Sequence, residues 1–256
     1  MIASGQRTWP TRAVARSARA MVASPHPQAT AAGIDVLRRG GNAVDAAIAT
    51  NAVLTVVYPA SCGIGGDAFW VVHDPRRPAT VSYNGSGRTP RAAALDRLPG
   101  GVLPQRGALS VTVPGAVRSW EDVAAAHGTR GLDELLAPAE ALARDGFVAT
   151  DVVASYIALN EPMLRGDADA TRIFLRSGVP RAGDLLYNAD LAETLRAIRR
   201  GGADAFYTGD TAERIVRTLN RLGNLMTADD LATHRTEPTT PLRLGWNGGE
   251  LLAHPP

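Results

Sequence analysis

The feature that most narrows the folds open to this chain is a run of three glycine- or proline-marked breaks between Pro27 and Val72. From Pro27 to Arg39, Ala29, Ala32, Val36 and Leu37 recur at helical spacing. Gly40-Gly41 then supplies a residue able to adopt the left-handed conformation that ends a helix. Asn42 is an N-cap residue for a second helix, with Asp45 three positions on, where a carboxylate reaches free backbone N–H groups. Val44, Ile48, Ala52 and Val56 form its apolar stripe until Pro59 stops it. The glycine turn Gly63-Ile64-Gly65-Gly66 follows, leading into two β-prone runs, Ala68 to His73 and Thr80 to Tyr83, joined by a proline-containing turn. The sequence therefore predicts a helix pair feeding a hairpin.

Downstream the pattern is mostly helical. Val117–His127 and Ala139–Arg144 read as helices, with Pro138 suited to a first turn and Gly146 to an end. Asn188 caps a segment through Leu191, Leu195 and Ile198 that Gly201-Gly202 terminates; Ala212–Leu222 repeats the pattern before Gly223, and Thr227 with Asp230 makes a capping-box start for a short last helix. Glu250 to Ala253 reads as a strand running into a Pro-Pro turn, with nothing after it to pair with. Residues 1–19 are Arg-rich and aperiodic, an extended or partly disordered lead-in; the structured stretch is 20–256, read as the N-terminal part of a larger domain, with no internal repeat.

Composition closes several functional classes. With 45% apolar and 20% charged residues in 256, the chain buries a core, and 5% aromatics imply close helix packing rather than an aromatic cage. All 27 basic residues are arginine, spread singly or in pairs and offset by 25 acids to a net charge of +2, which excludes a nucleic-acid footprint. No apolar stretch approaches a membrane span, and no apolar run follows the early arginines as a secretion signal requires. One cysteine forms no intrachain disulfide, which fits a reducing compartment without requiring it, and with no secretion signal evident a cytoplasmic location is expected.

The stretch from Met21 to Val72 contains, in order, SPHP, GGNAVDAA and GIGGDAF. It is followed by SVTVPG (Ser110 to Gly115), LARDGF (Leu142 to Phe147), GADAFYTG (Gly202 to Gly209), MTADDL (Met226 to Leu231) and a closing His254 to Pro256. In these motifs and their spacing the chain resembles the N-terminal, large-subunit portion of γ-glutamyltranspeptidases and related amidohydrolases. The resemblance implies an α+β fold, the αββα sandwich of N-terminal nucleophile hydrolases, here incomplete and helix-rich. It also implies a precursor that cuts itself to expose an N-terminal threonine. A free α-amino group beside that hydroxyl is its own general base, and the product is an acyl-enzyme.

By the same resemblance the nucleophile lies downstream of the segment ending at Pro256, so no catalytic residue is assigned within this chain and the chain alone is expected to be inactive. The implied partners are a small-molecule γ-glutamyl or related amide and the C-terminal small-subunit portion of the same precursor, with no cofactor. Two alternatives stand beside this: a non-catalytic remnant or interaction protein, and a family member that hydrolyses a non-γ-glutamyl amide.

Arg88 is the candidate substrate-binding residue. In the family an arginine in an R-x-x-A-P-like segment grips the α-carboxylate of the γ-glutamyl group, a task suited to a planar two-pronged guanidinium. Here the segment reads Asn84-Gly85-Ser86-Gly87-Arg88-Thr89-Pro90, with the arginine closer to its proline. A structural loop arginine is the other reading, and the shifted spacing leaves room for a different substrate.

Four further features have bland readings. The Gly63–Gly66 turn could cradle a phosphate, yet it follows a helix and precedes a strand, the reverse of a dinucleotide fingerprint, which leaves Asp67 a structural residue. Cys62 could be a nucleophile with His26 or His73 as its base, but a buried structural thiol is the commoner state. The histidines His26, His73, His127, His234 and His254 have no metal-ligand spacing. Thr233 superficially resembles a threonine nucleophile but follows MTADDL directly, where a solvent-facing helix end is expected.

Overall fold

The computed structural model describes residues 14–77 and 79–256. Residues 1–13 of the predicted lead-in lie outside the described residues; residues 14–19 are exposed and outside helix and strand.

The predicted helix pair forms as α1 (Pro27–Arg38) and α2 (Ala43–Val57). Gly40 adopts φ +86° at the break between them. Asn42 and Asp45 make a complete capping box: Asn42 Oδ1 accepts from the backbone N–H of Val44 (2.9 Å) and Asp45 (3.0 Å), and Asp45 Oδ2 accepts from Asn42 N (2.8 Å). Twelve of the fifteen residues of α2 are buried, as expected of a helix apolar nearly all round. It is the axis of the core, packing against α1, α3 (Ala116–His127), α4 (Leu132–Leu135) and α5 (Ala137–Asp145). Trp120 on α3 is fully buried there and donates Nε1–H to Asn51 Oδ1 at 2.7 Å.

The hairpin follows as β1 (Ala68–Val72) and β2 (Val81–Gly85), antiparallel with Trp70 opposite Tyr83. After α5 come β3 (Phe147–Val148), α6 (Asp151–Leu159), α7 (Glu161–Arg165), α8 (Ala168–Phe174) and β4 (Leu185–Leu186), which pairs back onto β3. The three helices gather around a small separate cluster of Val153, Ile157 and Leu175. Then α9 (Ala189–Gly201), α10 (Asp204–Tyr207), α11 (Gly209–Arg221) and α12 (Ala228–Ala232) return to the main core, and α9 packs on α5. Thr227 and Asp230 form the predicted capping box of α12.

The last part of the chain holds β5 (Glu237–Thr239), β6 (Leu242–Trp246) and β7 (Gly249–Ala253). β5 adds to β2, giving a three-stranded sheet in the order β1-β2-β5. The strand expected at Glu250 to Ala253 has a partner after all: β7 pairs with the preceding β6, because Asn247 (φ 49°) and Gly248 (φ 76°) take the left-handed conformations that a two-residue hairpin turn demands.

Candidate substrate-binding site

The site forms where three stretches of backbone come closer than side chains allow. Gly87 lies against Val113, Gly115 against Gly85, and Gly85 against Ala68. A Cβ on Gly87 would occupy the position of the Val113 carbonyl oxygen, and one on Gly115 would collide with the carbonyl of Gly85. Only glycine permits these approaches. Val113 N–H donates to Arg88 O at 3.0 Å, and Gly87 N–H donates to Asp67 Oδ1 at 3.1 Å. The loop that presents Arg88 is therefore pinned on both sides of the residue.

The Gly63–Gly66 turn serves this arrangement through its carbonyl, not through its N–H groups. Gly66 O accepts from Gly115 N (3.0 Å) and Ala116 N (2.9 Å), the donors at the start of α3, whose N-cap residue Gly115 has no side chain to satisfy them. The turn is thus a backbone cap for α3 and aims an acceptor where a phosphate cradle would need donors. Asp67, read as structural, holds the Arg88 loop.

Arg88 itself projects outward. Its side chain is 80% exposed, and its guanidinium is ion-paired with Glu237 on β5, whose side chain is 50% exposed. Asn84 on β2 stands directly opposite Glu237 in the sheet register, so the partner comes from the adjacent strand although it lies 149 residues away in sequence. Nothing local in the sequence marks Glu237; its short strand carries a proline at its centre, which hides it from a strand pattern.

Beneath this surface, Arg118 is nearly buried and pairs with Glu121 Oε2 (2.7 Å) and Asp204 Oδ1 (2.6 Å), with its guanidinium 5.0 Å from the centre of the Tyr207 ring. Tyr207 O–H donates to Pro114 O at 2.7 Å and accepts from Arg118 N at 3.0 Å, while burial drives its ionisation far above the ordinary phenol range. His234 stacks on Tyr207 with ring centres 5.6 Å apart; burial and the nearby Arg118 lower its pKa. These groups brace the segment from Pro114 to Arg118, which carries the glycine contact under the loop. A groove of about 830 Å³ beside β1 is lined by Arg19 to Pro25 and by Asp67 among others; Arg88 is not among its lining residues.

The remaining candidates are placed as follows. Cys62 is half-buried against the core, and burial raises its thiol pKa. Neither suggested base serves it: His26 caps α1, accepting from Gln28 N at 3.3 Å, and His73 bonds Thr80 Oγ1 at 2.9 Å. Thr233 is an exposed helix end whose hydroxyl donates to Asp229 O at 2.6 Å. Among the described residues no helix is long and apolar enough to cross a membrane.

Residues 29–256 match the family model for gamma-glutamyltranspeptidase. A glutathione hydrolase-like proenzyme of Bacillus subtilis is 39% identical over 239 residues, covering 92% of this chain and 46% of that protein. The chain thus spans about half the length of the curated relatives it matches. The solved γ-glutamyltranspeptidase of Helicobacter pylori superposes with a TM-score of 0.90 at 30% identity, over 95% of this chain and 72% of that one. A cephalosporin acylase of Bacillus halodurans superposes with a TM-score of 0.85 at 32% identity, over 96% of this chain and 49% of the other. The α+β, helix-rich architecture is that of these N-terminal nucleophile hydrolases, of which the chain covers part.

Proposed function

The chain belongs to the γ-glutamyltranspeptidase family of amide hydrolases and transferases, and from that premise we propose that it is the N-terminal portion of a self-processing precursor whose downstream portion supplies an N-terminal threonine. That threonine attacks the amide carbonyl of a small γ-glutamyl compound, its own α-amino group takes the hydroxyl proton, and water or an amine resolves the acyl-enzyme. Within this chain, Arg88 binds the α-carboxylate of the donor. The observation that carries this reading is the glycine-only packing of Gly85, Gly87 and Gly115, which holds the Arg88 loop in one place while leaving the guanidinium exposed.

The test uses γ-glutamyl-p-nitroanilide. The 256-residue chain alone releases no p-nitroaniline, and the processed precursor does. Turnover by the chain alone that disappears in Cys62→Ala would make the cysteine the nucleophile. In the processed enzyme, Arg88→Ala lowers kcat/KM by about thirty-fold to several thousand-fold, the loss expected when one partner of a charge pair that the bound donor desolvates is truncated. Arg88→Lys keeps the charge and loses the two-pronged geometry, so it falls between. Self-cleavage is unaffected by either change, because it involves no external carboxylate. A variant that fails to process assigns Arg88 to structure.

A second reading has its own support. Arg88 stands closer to Pro90 than the family spacing, and the cephalosporin acylase is as similar in sequence as the transpeptidase. On this reading the donor is an acyl amide without an α-amino acid head.

A further inference from the structure

Helices α6–α8 meet the main core along a cleft to which neither Arg88 nor the strands beside it contribute. Three adjoining cavities of about 240, 570 and 580 Å³ lie along this cleft, and Ile173 and Tyr187 line all three. We propose that the cleft is a binding site for a small α-amino acid with an apolar side chain, such as phenylalanine. The side chain enters the cavity of about 240 Å³, Arg176 takes the carboxylate and Asp184 takes the ammonium.

The cleft exists because two hydrophobic clusters meet without merging. Tyr58 and Leu186 pack against both the main core and the small cluster of Val153, Ile157 and Leu175. Seams between packed units are where small-molecule pockets form. Tyr187 is held there by a glycine: a Cβ on Gly146, which has φ +98°, would come within 2.7 Å of the Tyr187 ring, so the ring rests on bare backbone. The smallest cavity is walled by Val56, Ile64, Phe147, Phe174 and Leu191, with Cys62 beside them. Its polar oxygens are already engaged, since Thr55 Oγ1 donates to Ala52 O (2.7 Å) and Asn188 Oδ1 accepts from Leu191 N (3.0 Å). A polar side chain would lose its water there and find little in exchange, which selects an apolar one.

Charge selects the head group. Arg176 and Asp184 line the adjoining cavity of about 570 Å³. Among the described residues neither makes an ion pair, whereas the nearby Arg172 is neutralised by Asp169 (3.1 Å) and Asp190 (2.7 Å). Asp184 Oδ2 accepts from the backbone N–H of Arg181 at 2.7 Å, which fixes the carboxylate and leaves its other oxygen for a ligand. Two opposite charges on one cavity wall, each without a counter-charge, match a ligand that carries both. A carboxylate alone satisfies Arg176 and is repelled by Asp184, and an amine alone meets the reverse.

The site is separate from the reaction site, so its test needs no turnover and does not depend on the reading of Arg88. Cys62 is the only cysteine of the 256-residue chain, and its alkylation by iodoacetamide, followed by mass spectrometry, reports on this cleft alone. L-phenylalanine is expected to slow that alkylation saturably and to give a saturation-transfer NMR signal with the same midpoint. 3-Phenylpropionate, which lacks the ammonium, and phenethylamine, which lacks the carboxylate, are expected to bind more weakly, and glycine not to protect. Arg176→Gln and Asp184→Asn each remove one charge at similar size, and Asn keeps an acceptor for Arg181 N. Each is expected to weaken phenylalanine binding about two- to fivefold, the range for ion pairs open to water. Should Cys62 react too slowly to follow, the NMR titration decides. Absence of saturable binding, equal affinity for 3-phenylpropionate or phenethylamine, or an affinity unchanged in both variants overturns the proposal.

Discussion

Trp120 and Trp246 mark the two extremes of this molecule. Trp120 is fully buried in the helical core between α2 and α3, with its indole N–H bonded to Asn51. Trp246 closes the β6–β7 hairpin and is 64% exposed. It shares a hairpin face with Leu242 and Leu244, and Leu244 stands opposite Leu251. The other face pairs Arg243 with Glu250 at 2.7 Å. The hairpin therefore has the alternation of a half-buried sheet with neither half buried, whereas the helical core hides its apolar residues completely. Local pattern specifies a secondary element; burial depends on what the rest of the fold lays over it.

The comparison breaks first if the helical core is not the source of stability. Trp120→Ala is expected to cost about 3–5 kcal/mol, the usual loss for emptying a buried tryptophan site, and it also leaves Asn51 Oδ1 without its donor. Urea denaturation monitored by circular dichroism measures it, and a cost below about 1 kcal/mol would mean the core is loosely packed there.

Next in size is Asp45. It is fully buried and joins the α1–α2 break to the turn after α3, accepting from Asn42 N, from Thr129 N (2.8 Å) and Oγ1 (2.6 Å), and from Arg130 N (3.1 Å). Asp45→Ala abolishes the capping box and strands several buried donors, so about 2–3 kcal/mol should be lost in the same denaturation assay. Asn is expected to recover part of this through its remaining carbonyl oxygen.

That box was legible in the sequence because Asn42 and Asp45 act within one helical turn, and the same holds for Thr227 with Asp230. The α1–α2 pair and the β1–β2 hairpin were legible for a like reason: glycine and proline mark their ends. Helices α6–α8 left little pattern, since they serve a small cluster of their own and need few apolar positions. At the site, Arg88 could be read only through family resemblance. Glu237 could not be read at all, because its meeting with Arg88 is made by strand register across the sheet and not by any local spacing.

Acid should weaken the buried region before it affects the hairpin. Burial lowers the pKa of His26, and burial together with Arg118 lowers that of His234, so both are held neutral in the folded state below the ordinary value of 6.5. The unfolded chain then binds more protons, and the stability these residues contribute above pH 6.5 is lost as pH falls toward their folded values. Asp45 follows at lower pH. Burial works to raise its pKa, but hydrogen bonds from the Thr129 side chain and the backbone of Asn42, Thr129 and Arg130 outweigh it and hold the pKa below 3.8, so its contribution disappears as pH drops through that range. Urea midpoints between pH 7.5 and 5 should fall in the wild type and fall less in His26→Gln and His234→Gln; parallel slopes would mean other groups control the acid limb.

The smallest effect on stability is expected at Trp246. Because its side chain already meets water in the folded chain, Trp246→Ala removes little burial and should change the urea midpoint by no more than about 0.5 kcal/mol equivalent. Its effect should appear instead in properties that report exposed apolar surface. The contiguous face of Leu242, Leu244, Trp246 and Leu251 offers a flat apolar patch of the kind that binds hydrophobic dyes and draws chains together. The 256-residue chain should therefore enhance the fluorescence of an anilinonaphthalene dye and scatter light increasingly with concentration, and Trp246→Ala, combined with Leu244→Ser, should reduce both while leaving the helical circular dichroism signal in place. A destabilisation close to that of Trp120→Ala would show that the hairpin is covered in solution by another part of the chain. The contrast between the two regions would then reflect which neighbour each has, not how deeply each is buried.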